Sequence, residues 1–97
     1  MQFVAILSRR DGFAPEDFTR ELPAEVRRAT ELYAEGTFRQ LLSRQDGRGA
    51  VIILEAPDAD AAKAAIQSLP MVAKGLLDLE LHAVGPYRGF TAGLSKS

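Results

Sequence analysis

The chain has 97 residues, 46% of them hydrophobic and 26% charged, which is room for one domain around one core and excludes a disordered or low-complexity chain. Twelve Lys and Arg face thirteen Asp and Glu, a formal net charge of −1, so the basic excess of a nucleic-acid binder is missing. With no cysteine and one histidine, His82, disulfides, thiolate metal centres, a cysteine nucleophile and a multi-histidine site within one chain are excluded.

Taken in chain order, the opening MQFVAILSRRDG lacks the charged start and long apolar stretch of a secretion signal. No apolar run nears the ~18 residues of a membrane span. A cytoplasmic protein with no membrane partner is expected. Gln2 to Ser8 reads as a strand, because Phe3, Val4, Ala5, Ile6 and Leu7 form a short apolar run between polar residues. Arg9 to Ala14 is a loop around Asp11-Gly12. A helical region follows from about Pro15 to Glu35, opened by Pro15 and by Glu16 and Asp17 at the positive end of its dipole. Gly36 closes it as the residue after the cap. Pro23 lacks an N–H and clashes with the preceding turn. It predicts a kink, or a short turn over 15–20 with the main helix restarting at Pro23.

Thr37 to Arg44 reads as a second strand, and Asp46-Gly47 marks a tight turn into a third, Ala50 to Ala56. Asp58 or Asp60 can cap a second helix running to Ser68. Leu69-Pro70 ends that helix, since a residue before proline avoids the α region. Leu76 to Val84 is the fourth strand. Residues 1–88 are expected to form the single domain and 89–97 a tail, with Tyr87, Arg88 and Phe90 clustered about the boundary.

The order β-α-β-β-α-β predicts an α+β, ferredoxin-like fold: an antiparallel four-stranded sheet in the order 4-1-3-2 with both helices on one face. The opposite face is not polar. In the first strand Phe3, Ala5 and Leu7 alternate with Val4 and Ile6, and in the third Val51 and Ile53 alternate with Ile52 and Leu54. A sheet apolar on both sides must be covered on both sides. The chain has no second layer to offer, so a second copy is expected to supply it, giving a dimeric α+β barrel.

Glu25 is the most informative single position. At roughly 100° per residue, Phe18, Leu22, Val26, Ala29, Leu32 and Tyr33 fall within an arc of about 120°. Glu25 lies inside that arc, whereas Glu21 and Arg28 flank it. A carboxylate on the apolar side of a helix is costly unless paired, hydrogen-bonded or neutral. Desolvation raises its pKa toward the range a proton-transfer group needs. Glu25 can alternatively reach water at the stripe's edge or pair with Arg28.

Arg39 and Arg44 fall in opposite phases of the second strand, Arg39 with Leu41 and Ser43, Arg44 with Phe38, Gln40 and Leu42. Either arginine can hold a substrate carboxylate bidentately, or act as an edge-strand charge or an intersubunit ion pair. His82 shares a polar row with Asp78 and Glu80, alternating with Leu77, Leu79 and Leu81. Such a row suits either His–carboxylate proton transfer or a solvated edge strand, and its spacing assigns no metal. Tyr33 sits at the end of the first helix. No Gly-rich phosphate loop or serine nucleophile elbow is present.

With these segments placed, the chain resembles the muconolactone isomerase family of small dimeric α+β barrel proteins. The resemblance rests on Leu32-Tyr-Ala-Glu-Gly-Thr-Phe-Arg-Gln-Leu-Leu42, Ala50-Val-Ile-Ile-Leu-Glu-Ala56, Ser68-Leu-Pro70, Asp78-Leu-Glu80 and Gly85-Pro86, and spans about residues 1–88. The YCII-related family has the same fold and a run similar to Val72-Ala-Lys-Gly-Leu-Leu77, but its members usually carry a histidine where this chain has Glu25. The first resemblance implies a cofactor-independent enzyme that performs an allylic proton shift on a small unsaturated lactone or cyclic carboxylic acid. It implies Glu25 as the proton shuttle and Arg39 as the anchor for the substrate carboxylate, with Tyr33 and His82 as further substrate-binding candidates. Gln40 departs from the histidine of true muconolactone isomerases. Two alternatives are carried: a non-catalytic small-ligand-binding protein of the YCII-related type, and a cofactor-free monooxygenase of aromatic substrates. A cavity of ~300 Å³ or more beside Glu25 favours an enzyme or ligand binder over a scaffold. An aromatic pocket favours the oxygenase.

Overall fold

The computed structural model describes residues 1–90. The elements are β1 (Gln2–Arg9), α1 (Pro15–Ala34), β2 (Phe38–Ser43), β3 (Gly49–Glu55), α2 (Ala59–Gln67), α3 (Pro70–Ala73) and β4 (Leu77–Val84). The strands form one antiparallel sheet in the order β2-β3-β1-β4, which is the ferredoxin-like α+β arrangement that the element order predicts.

Register decides which residues meet the helices. Phe3 lies opposite Leu54 and Ala5 opposite Ile52 on one side of β1, while Ala5 and Leu7 face Leu81 and Leu79 of β4 on the other. These side chains share one sheet face. There they form a single buried core with Phe38, with Phe18 and Leu32 of α1, and with Ala62 and Ile66 of α2. The opposite phase puts Val4 and Ile6 of β1 and Val51 and Ile53 of β3 on the outer face, where they are only half-buried. The edge strand β4 adds Asp78, Glu80 and His82 beside Ser8, Ile6 and Val4. The outer face is thus apolar along its two central strands and polar along one edge.

The caps follow the sequence closely. Asp58 accepts the backbone N–H of Ala61 at 2.8 Å and starts α2. Gly36, at φ 88°, follows the C-cap of α1. Three features depart from expectation. First, α1 is one helix with Pro23 inside it, so the main helix does not restart at Pro23. The N–H missing at Pro23 leaves the Thr19 carbonyl without its helical donor, but Phe18 and Leu32 on either side dock on the same core, and packing outweighs local propensity. Second, Pro70 ends α2 yet also opens the short helix α3, because a proline suits a first helical position. Third, the β2–β3 register shifts between Phe38 and Gln40. Arg39 is the extra residue of a bulge. Phe38 therefore joins Leu41 on the core side, not Gln40, Leu42 and Arg44 as strict alternation predicts.

No helix among the described residues is long and apolar enough to cross a membrane. Beyond β4, Tyr87 and Phe90 meet edge to face with ring centroids 4.9 Å apart, and both are exposed. Positions 91–97 of the expected tail lie outside the described residues.

The β2–β3 turn yields a stability prediction. Gly47 (φ 73°) and Gly49 (φ 147°) both adopt backbone that L-residues avoid. A Cβ at Gly47 meets open space, whereas one at Gly49 would fall 2.0 Å from the Leu7 carbonyl oxygen. Gly47→Ala should cost about 1–2 kcal/mol. Gly49→Ala should cost distinctly more, because the β1–β3 ladder must also shift. Urea midpoints of the two variants check the order.

Candidate active site

The helical stripe of α1 divides between two duties. Phe18 and Leu32 are buried in the core, but Leu22, Val26 and Tyr33 are 50%, 55% and 58% exposed. The apolar stripe is therefore only partly buried. Leu22 and Val26 stand on the wall of a cavity of about 450 Å³ between α1 and the sheet. Leu7, Ile52, Leu41, Leu69 and Met71 complete much of its aliphatic surface, and among the described residues no aromatic side chain lines it. Among the described residues, Glu25 is the one carboxylate on this wall, and Arg9 and Arg44 are its cations.

Glu25 is held by backbone. Its Oε1 accepts the N–H of Met71 at 2.9 Å. The donor exists because α3 starts on Leu69, which has no side chain able to cap, and on Pro70, which has no N–H. Met71 then carries an orphan amide of the first turn, and Glu25 reaches across from α1 to satisfy it. Two further contacts flank this one along the same helix face. Lys74 Nζ donates to the Glu21 carboxylate, and Arg28 Nε donates to Ser68 Oγ at 2.9 Å. Positions 21, 25 and 28 of α1 thus meet positions 74, 71 and 68 in turn, a polar seam at helical spacing. Arg28 also pairs with Glu31 at 3.3 Å, so the Glu25–Arg28 pairing open from sequence is not formed.

Partial burial raises the Glu25 pKa above its ordinary value of 4.5. The Met71 N–H opposes this by favouring the ionised form, and the neighbouring Glu21 charge adds to the rise. Desolvation is the largest of the three effects.

The other residues singled out from sequence do not converge on Glu25. Arg39, in the bulge, turns its Nε back to the Gly36 carbonyl at 2.8 Å. It is the cation at the negative end of α1, whose own last turn has none, and it does not line the cavity. Tyr33 borders a shallow adjoining depression of about 310 Å³ with Thr30, and this shares Val26, Ala29 and Leu41 with the main cavity. His82 lies on the outer sheet face, its Nε2 3.3 Å from Glu80, with the sheet between it and Glu25. Arg44 does line the cavity. Its guanidinium is occupied by Asp46 at 2.6 Å and Ser8 Oγ at 2.7 Å. The Asp46 carboxyl, held by the Arg48 amide and by Arg44, stays below its ordinary range.

No family model matches the chain, and no curated protein matches its sequence. Solved structures do match its shape. A muconolactone isomerase structure superposes with a TM-score of 0.73 at 20% identity, covering 90% of this chain and 91% of that one. A 5-chloro-2-hydroxyhydroquinone dehydrochlorinase from Burkholderia phenoliruptrix, in complex with 2,5-dihydroxybenzoquinone, superposes with a TM-score of 0.72 at 17% identity, covering 92% and 98%. The chain has the muconolactone isomerase fold.

Within this muconolactone isomerase fold one cavity residue escaped the sequence reading. Arg9 ends β1 in the phase of Phe3, Ala5 and Leu7, all buried. A charge continuing an apolar phase is the same signal that marks Glu25, and it was legible there as well.

The raised pKa of Glu25 gives a signed pH dependence. The folded chain binds this proton more tightly than the unfolded chain. Ionising Glu25 therefore removes stability as pH rises from the unfolded value of 4.5 through the higher folded value, and the loss persists above it. Gln at this position can still accept the Met71 N–H without a charge. Glu25→Gln should melt at a higher temperature than the parent chain at about pH 8, with the difference vanishing toward about pH 4. Calorimetric melts across that range read it directly.

Proposed function

We propose that this chain is a cofactor-independent isomerase that moves a proton within a small unsaturated lactone or cyclic carboxylic acid, with Glu25 as the single acid–base group. The observation that carries the reading is a lone carboxyl with a raised pKa on the wall of an aliphatic cavity of about 450 Å³. The volume suits a small ring with its substituents.

In this mechanism Oε1 of Glu25 stays on the Met71 amide, which fixes the carboxylate plane, and Oε2 faces the substrate. The ionised carboxylate removes a proton from a carbon made acidic by conjugation to the lactone carbonyl. The electron pair shifts along the π system to the carbonyl oxygen, giving a dienolate. The protonated Glu25 then returns the same proton at another carbon of that system, and the double bond migrates. A group whose pKa lies closer to neutrality serves both halves better than an ordinary carboxylate, because neither donation nor removal is strongly uphill.

A pure scaffold, with Glu25 ion-paired and no cavity, fits less well: the Glu25 carboxyl is held by a backbone amide and the space beside it is open. The aliphatic lining offers no aromatic surface for a phenolic ring, which favours the isomerase over the monooxygenase. The binding of a small acid without turnover remains the contrasting outcome of the assay. We further propose a homodimer in which the apolar outer strip of Val4, Ile6, Val51 and Ile53 meets its counterpart, closing a barrel and burying a surface that is costly in water.

Two measurements address these proposals. The parent protein should isomerise unsaturated five-membered lactone acids, and Glu25→Gln should lower turnover by about 10²–10⁴-fold; equal turnover in the variant would remove Glu25 from the mechanism. In sedimentation at micromolar concentration the parent should run as a dimer and Ile53→Asp as a monomer, since a charge there meets its own copy across the interface.

A further inference from the structure

The cavity beside Glu25 continues at its hairpin end. Arg9 and Gly47 belong to its wall and also to the wall of a second cavity of about 270 Å³. This second space is framed by Phe13, Phe18, Arg10 and Arg48, with Asp11 as the one carboxylate on its wall among the described residues. One aliphatic chamber containing a carboxyl therefore opens, past Arg9, into a smaller chamber rich in arginine.

The arginines around this junction differ in what they already hold. Arg10 is engaged by Asp78 at 2.7 Å. Arg44 is engaged by Asp46 and Ser8. Arg48 has Asp11 at 3.8 Å. Arg9 has no carboxylate within 4.0 Å among the described residues, and its guanidinium carbon sits 4.4 Å from the centroid of the Phe18 ring. Stacking on that ring restricts the guanidinium without consuming its in-plane donors. The result is a partly oriented, uncompensated cation in the wall that the two chambers share.

The geometry points to Arg9 as the residue that binds the substrate's carboxylate. The ligand is then an anion whose ring occupies the aliphatic chamber and whose carboxylate sits at the junction, reaching toward the arginine-lined chamber. A planar carboxylate matches the guanidinium fork through two parallel N–H···O bonds. Arg39, which lies outside the cavity, and Arg44, already neutralised, leave this role to Arg9. The inference rests on the Glu25 cavity being the substrate site, but not on which reaction occurs there.

The test is a binding experiment with benzoate and its neutral isostere benzamide as probes, read by calorimetry at low salt in the Glu25→Gln background. There the carboxylate of residue 25 repels no anion and no turnover intervenes. Benzoate should bind at least tenfold more tightly than benzamide. Adding Arg9→Gln should weaken benzoate by about ten- to a hundredfold while leaving benzamide unchanged, Arg9→Lys should fall between, and Arg39→Gln should change neither. The inference is overturned if Arg9→Gln leaves benzoate affinity intact, if it weakens benzamide equally, or if benzoate does not bind. Should Arg9→Gln fail to fold, the Arg9 Nε–H resonance of the Glu25→Gln protein reads the same contact. It should shift on adding benzoate and not on adding benzamide, and an unmoved resonance overturns the inference. A chain that binds benzoate through Arg9 but isomerises no lactone loses the proposed reaction and keeps this site; one that isomerises through Glu25 with Arg9 irrelevant loses only this site.

Discussion

A carboxyl group partly withdrawn from water must be held by something, and in this chain the holder is the first free amide of a four-residue helix. The hydrogen bond from Met71 to Glu25 ties together features that look unrelated in the sequence. It needs Leu69, which cannot cap, and Pro70, which cannot donate, so that Met71 is left with an open N–H. It also needs α1 to run unbroken past Pro23, so that residue 25 arrives opposite the turn. The polar seam formed with Glu21–Lys74 and Arg28–Ser68 aligns the two segments. One is a half-exposed ion pair and the other a hydrogen bond from a guanidinium to a hydroxyl, and such contacts contribute modest energy singly. Their use here is to set which residue of α1 meets which residue of the 68–74 segment.

The same bond limits how Glu25 behaves. Burial pushes the carboxyl toward its neutral form, and the Met71 amide pulls it toward the ion. A site in which desolvation acted alone would hold a reluctant acid; one dominated by hydrogen bonds would hold a weak base. The opposed influences leave its pKa raised, with desolvation the larger, while one oxygen is held by the Met71 amide.

Much of the fold was legible because it depends on short-range alternation and on punctuation by glycine, proline and aspartate. The strand order followed from element order, and Asp58 and Gly36 marked helix ends through their own side-chain or backbone chemistry. What escaped has a common cause. The bulge at Arg39 depends on where Phe38 must sit to join the core, which alternation within β2 cannot express. The turn of α3 depends on a proline able both to end one helix and to begin the next. In the site, Glu25 was visible as a charge in an apolar arc. Arg39 and His82 looked similar on paper, but a bulge turned the first toward a helix end and strand parity sent the second to the far side of the sheet. Arg9 shows the opposite: beside Asp11-Gly12 it reads as loop, yet it ends a buried phase and the ladder with β4 extends to it.

Gly47 sits at the threshold between the two chambers and contributes no side chain to it. The boundary between the two chambers is therefore drawn by a surface hairpin, while the Glu25 carboxyl is carried by a helix in another part of the chain. Lengthening or decorating that hairpin changes the extent of this space without touching the acid itself. In this architecture the length of the space and the acid on its wall belong to separate pieces of the polypeptide, so one can be altered while the other is left in place.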